Sequence, residues 1–162
     1  YKSLTGNTRQ VAEAIRDALG GEEIVYFGEP KPDIVADLYF LGSWTDKGSC
    51  DGTVGEYLKQ LEGKKLAVFG TAGYGGSREY YQKLACRVTE CVPDTSEVLG
   101  SFYCQGKMPI GVRNRYVAML REHPEDQKLN ASVKNFDEAL SHPDEKDFAD
   151  ARQWAQTMVD AV

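Results

Sequence analysis

The chain is poor in the residues from which most metal sites and hydrolytic centres are made. It has two histidines, His123 and His142, and four cysteines, Cys50, Cys86, Cys91 and Cys104, with no C-x-x-C pair and no Cys/His cluster. That disfavours a structural zinc site and a disulfide framework. Each histidine stands directly before a proline in a connecting segment, which fits a solvated or capping role. Basic residues are also scarce, 19 Lys and Arg against 25 Asp and Glu, a formal net charge of −6. An acidic balance argues against a general nucleic-acid binder, whose affinity would rest on neutralising phosphates. No apolar run approaches the length of a membrane span. No basic-then-apolar signal stretch follows Tyr1. The thiols are therefore expected to be free in a reducing compartment, with a cytoplasmic location, and Asn130-Ala131-Ser132 to be a chance sequon.

What is present is a regular alternation of two periods. At 162 residues, with 41% hydrophobic and 27% charged residues, the chain has the size and mix of a single globular domain with a real core. Val11, Ile15, Ala18 and Leu19 mark one helical face, stopped by Gly20-Gly21. A β-rich run, 22–27, comes next. Residues 37–42 are apolar on both faces, as a buried parallel strand should be. A polar loop then leads to a helix carrying Val54, Tyr57, Leu58 and Leu61, with Thr53 and Glu56 spaced as a capping box. The cycle repeats with a strand at 65–70, a glycine-rich loop at 71–77 and a helix bearing Tyr81, Leu84, Ala85 and Val88. A last strand is expected at 98–104. Strands alternating with helices in this way predict an α/β fold with a doubly wound parallel sheet and helices on both faces. After Gln105 the pattern becomes purely helical, around Val112–Leu120, Leu129–Leu140 and Phe148–Val162. One closing helix is enough to cover the last strand, so 105–143 reads as a helical insertion.

In open α/β sheets ligands bind beyond the carboxyl ends of the strands, so the strand-to-helix loops carry the chemistry. No Ser-His-Asp order and no carboxylate pair stands in them, which disfavours a hydrolase. The first loop is Ser3-Leu4-Thr5-Gly6-Asn7-Thr8, running straight into a helix. Hydroxyls, an amide, a glycine and a helix N-terminus make a site for a phosphate, although the same residues would serve as an ordinary helix cap. The loop has no lysine and no G-x-G-x-x-G, so it is neither a Walker loop nor a dinucleotide fingerprint. It suits a terminal phosphate monoester held by hydrogen bonds. The second loop, Ser43-Trp44-Thr45-Asp46-Lys47-Gly48, offers an aromatic among small polar neighbours, able to stack on a flat ring or to pack in a core. The third, Thr71-Ala72-Gly73-Tyr74-Gly75-Gly76-Ser77, sets Tyr74 among glycines that permit close backbone approach. It reads either as a second stacking site or as a flexible turn capped by Ser77. The fragment Cys104 to Met108 ends the last strand, where Lys107 could meet an anion.

Ser3-x-Thr5-Gly6-Asn7-Thr8 and the helix beginning Thr8-Arg9-Gln10-Val11-Ala12 resemble the phosphate loop and first helix of the flavodoxin family. The resemblance covers about residues 1–104 and the last helix. It implies a five-stranded parallel sheet of order 2-1-3-4-5 that holds FMN non-covalently. Ser3, Leu4, Thr5, Gly6, Asn7 and Thr8 would then hold the phosphate. Ser43, Trp44, Thr45, Asp46 and Gly48 on one side, with Thr71, Ala72, Gly73, Tyr74 and Gly75 on the other, would flank the flavin. It further implies a bacterial electron-transfer flavoprotein, monomer or weak dimer, serving partner oxidoreductases. Two alternatives are a flavin-dependent NAD(P)H reductase of quinones or other small molecules, and a flavin-free binding module on the same fold. In loop style the chain is also similar to flavodoxin-like accessory proteins found beside reductases in anaerobes, bilin reductases among them. A flavodoxin's phosphate loop follows its central first strand, whereas only Tyr1 and Lys2 precede Ser3 here. The resemblance therefore implies about five or six further residues upstream of Tyr1.

Overall fold

A computed structural model describes residues 1–162. The sheet has four strands in the order β2-β1-β3-β4, where β1 is Leu38–Asp46, β2 Ser49–Cys50, β3 Lys65–Ala72 and β4 Glu97–Gln105. β1, β3 and β4 run parallel, with Leu38 opposite Lys65 and Trp44 opposite Thr71. Six helices accompany them: α1 Asn7–Ala18, α2 Gly52–Leu58, α3 Arg78–Thr89, α4 Ile110–Glu122, α5 Gln127–Ala139 and α6 Glu145–Asp160.

Helices cover both faces, as the alternation predicts. On one face Val11, Ala12 and Ile15 of α1 and Ala151 and Ala155 of α6 close over Phe69 and Cys104. On the other, Val54 and Leu58 of α2 and Val88 of α3 close over Tyr39, Leu41, Leu66 and Val68. Small alanines let α6 approach α1 closely, while the larger aliphatic residues supply most of the buried area.

The structure departs from the sequence reading at three places. The run 22–27 is not a strand. A strand needs a neighbour for its N–H and C=O groups, and the 24–28 segment lies beside Tyr1. The Tyr1 nitrogen donates to the Gly28 carbonyl at 2.7 Å, while Lys2 pairs in parallel with β1, its N–H on Gly42 O at 2.9 Å. Tyr1 and Lys2 thus lie between the 24–28 segment and β1, and beside them is an apolar cavity of ≈ 560 Å³ bounded by Ile15, Leu19, Phe27, Phe40 and Phe69. Secondly, the expected ten-residue loop after β1 is mostly hairpin. Lys47 and Gly48 both have positive φ, 48° and 81°, the mirror-image turn that folds Ser49–Cys50 back on Thr45–Asp46. Thirdly, the Thr53/Glu56 capping box is not made. Asp51 caps α2 by accepting the Thr53 N–H, and Glu56 pairs with Lys59.

Candidate functional site

The three loops meet at the carboxyl end of the sheet, with Thr71 at their junction. Its hydroxyl bonds the Thr8 hydroxyl at 2.9 Å, and its carbonyl accepts from the Thr45 hydroxyl at 2.9 Å. Thr8 and Thr71 are buried, so neither hydroxyl faces solvent; together they join the first loop to the third.

In the first loop Gly6 has φ 93°, which brings the chain into α1 through a left-handed residue with no Cβ strain. No side chain of the N-cap residue closes the helix. The consequence is a row of unused donors. The N–H groups of Leu4, Thr5, Gly6, Asn7 and Thr8 find no acceptor anywhere in the chain, while the next one, Arg9 N–H, is taken by Ser3 Oγ at 3.2 Å. Successive free amides at the positive end of a helix dipole form an anion cradle. Asn7 stands at its back, 7% exposed. Its Nδ2 donates to Thr5 Oγ1 at 3.1 Å and to Lys107 O at 2.8 Å, and its Oδ1 is a buried acceptor with no donor. A buried amide oxygen left unpaired is costly, and a ligand hydroxyl would satisfy it. These features fit the phosphate and ribityl end of FMN: donors for a phosphate, with one acceptor for a hydroxyl.

In the second loop Ser43 Oγ donates to Trp44 O and accepts the Asp51 N–H. The Trp44 indole N–H donates to Asp51 Oδ2 at 3.2 Å, which fixes the ring of a half-buried tryptophan at the strand end. Burial would raise the Asp51 carboxyl, but hydrogen bonds from the Thr53 N–H and hydroxyl and from Trp44 outweigh it, so Asp51 stays ionised below the usual range. Asp46 and Gly48 lie in the hairpin beyond. Asp51 was not among the sequence candidates; its place directly before a helix was the available signal.

In the third loop Thr71 and Ala72 are still strand, and the loop proper is Gly73 to Ser77. Ser77 caps α3 by accepting the Tyr80 N–H. Tyr74 is 43% exposed, and its hydroxyl bonds Ser132 of α5 at 2.5 Å. Gln105 and Asn135 both donate to Gly73 O at 3.0 Å. The segment after β4, 105–108, passes between the first and third loops, its Gly106 N–H on Ala72 O and its Lys107 O on Asn7. That accounts for a fragment the sequence left unexplained, although the Lys107 side chain itself is exposed.

The cysteines are all free, and Cys104, buried under α6, has its thiol pushed well up by desolvation. His142 lies 2.6 Å from Asp147, which forms a capping box with Asp144 at the start of α6. The cap itself is made by Asp144 and Asp147, while the His142 carbonyl accepts the Lys107 N–H at 3.0 Å. No helix is long and apolar enough to cross a membrane.

The profile of the flavodoxin domain family matches residues 1–156, and the chain belongs to that family. It is 35% identical to a flavodoxin-like domain-containing protein BilS of Clostridioides difficile, over 98% of this chain and 93% of the relative. It is 38% identical to the protein of that name from Clostridium symbiosum, over 92% of this chain and 88% of the relative. Among solved structures it is similar to a flavoprotein from Lactobacillus acidophilus crystallised with FMN. That likeness spans 63% of this chain and 88% of the other at 18% identity, with a TM-score of 0.44.

Proposed function

We propose that this chain binds FMN and passes electrons between partner oxidoreductases. The observation that carries the reading is the row of free amides from Leu4 to Thr8 at the start of α1, set beside the loops of Trp44 and Tyr74. The cradle amides, with the Ser3 and Thr5 hydroxyls, would donate to the phosphate, and Asn7 Oδ1 would accept from the ribityl chain. Gly6 keeps that cradle open, because its backbone turn exposes the amides without a side chain in the way. Trp44, held by Asp51, and Tyr74, held by Ser132, would flank the ring. Bound FMN supplies the redox chemistry, taking up and releasing electrons.

The chain's own residues supply binding and orientation, and none of them is needed as an acid or base. Its net charge of −6 opposes the addition of negative charge and favours docking on a basic patch of a partner. A small shuttle protein meets its partners through small, transient interfaces.

The test is a visible absorption spectrum of the protein after mixing with FMN and removing free flavin. A retained, perturbed flavin spectrum that is lost in the double variant Trp44→Ala, Tyr74→Ala supports the reading. A protein that retains no FMN at micromolar concentration refutes it. Turnover of a quinone with NAD(P)H by the protein alone would replace the shuttle with a reductase.

A further inference from the structure

The α4–α5 hairpin is a poor contributor to the core. α4 has no buried residue, and α5 buries only Phe136 and Ala139. The two helices are joined by the Arg113–Asp137 ion pair, with Arg113 Nε 2.7 Å from Oδ1. The polar residues that α5 turns inward all converge on one short stretch of the third loop. Asn135 Nδ2 donates to Gly73 O at 3.0 Å, and its Oδ1 accepts from Gln105 Nε2 at 3.0 Å. Gln105 Nε2 also donates to Gly73 O, so that one carbonyl is held by two side-chain amides, one of them from a buried glutamine. One residue later, Ser132 bonds the far end of the Tyr74 side chain. The loop is shaped for this contact. A Cβ on Gly73 would lie 2.4 Å from the Met108 sulfur, and one on Gly75 would lie 2.3 Å from Gln105 Oε1. A side chain at either position would have to push Met108 or Gln105 aside.

Tyr74 is thus fixed at both ends, by its backbone neighbour Gly73 and by its hydroxyl. An exposed tyrosine would otherwise sample several rotamers, and freezing it on ligand binding would weaken that binding. We propose that the α4–α5 hairpin is a clamp that presets the third loop, with Ser132 and Asn135 as positioning residues for the Tyr74 ring against the flavin. This rests on the FMN reading above. The hairpin therefore acts within the site, through atoms that contact the loop and not the cofactor.

The test uses the whole chain with Ser132→Ala, Ser132→Thr, Asn135→Ala, Tyr74→Phe and the double variant Tyr74→Phe, Ser132→Ala. Hydrogen exchange of the free protein is read at residues 74–77, and FMN affinity is read by titration. Ser132→Ala and Asn135→Ala should speed exchange in the loop while protection in α1 stays unchanged. Ser132→Ala should weaken FMN binding about three- to tenfold, the worth of one net hydrogen bond. Tyr74→Phe should do the same, the double variant should be no worse than either single, and Ser132→Thr should bind as the parent does. Unchanged loop exchange overturns the clamp, as does faster exchange with unchanged affinity or additive losses in the double variant. A parent protein that binds no FMN overturns the proposed function and this inference together. A parent that binds FMN alongside variants that bind equally well overturns this inference alone.

Discussion

Replacing Thr8 with valine tests whether the first and third loops are tied together through a buried hydroxyl pair. Thr8 is 0% and Thr71 3% exposed, their oxygens are 2.9 Å apart, and neither hydroxyl has another partner. Valine has the same shape, so packing is kept while Thr71 Oγ1 is left without a bond in a dry site. An unpaired buried hydroxyl costs about 1–3 kcal/mol. For a chain of this length 1 kcal/mol moves the melting temperature by about 2–4 °C, so Thr8→Val should lower it by roughly 2–12 °C. Thr71→Val should do the same for the mirrored reason. The double variant removes both polar groups at once and should be less destabilised than the two losses summed, and close to the parent. Urea unfolding of the four proteins, free of ligand, gives the coupling directly. Two losses that simply add in the double variant would show that the pair is not coupled and would refute the reasoning.

Further outcomes follow from the same geometry. Asp51 has its carboxyl held below the usual range, so it stabilises the fold above the unfolded-state value near about 4 and loses that contribution as pH falls through the lower, folded one. Asp51 is half-buried and solvent screens it, so the effect on stability is small, but the Trp44 fluorescence should change as the pH falls below about 4, and Asp51→Ala should abolish that change. With Ellman's reagent at about pH 8, exposed Cys86 should react first and buried Cys104 only after unfolding, since desolvation disfavours its thiolate. A Cys104 that reacted at the rate of Cys86 would mean that α6 opens readily.

The α/β architecture, the parallel strands and the helices on both faces were legible because each element repeats its own period: Leu66 and Val68 against Phe69 in a strand, Val11 and Ile15 in a helix. The three loops could be found because they follow those strands. What stayed hidden depends on contacts distant in sequence. The run 22–27 has strand-like residues, but pairing is a property of two segments and cannot be read from one. The β1–β2 hairpin was missed because Lys47-Gly48 is a weaker turn signal than Asn-Gly. Ser132 and Asn135 meet the third loop across 58 and 62 residues of chain. Nothing in their local pattern sets them apart from the polar face of any helix.

The most direct test of the account is the affinity of the protein for FMN measured beside that for riboflavin, which differs only in lacking the phosphate. The free amides of Leu4 to Thr8 are the centre of the account, so FMN should bind and riboflavin should bind far more weakly, by about a hundredfold or more if two or more charged hydrogen bonds are lost. Equal binding of the two, or no binding of either, would contradict it.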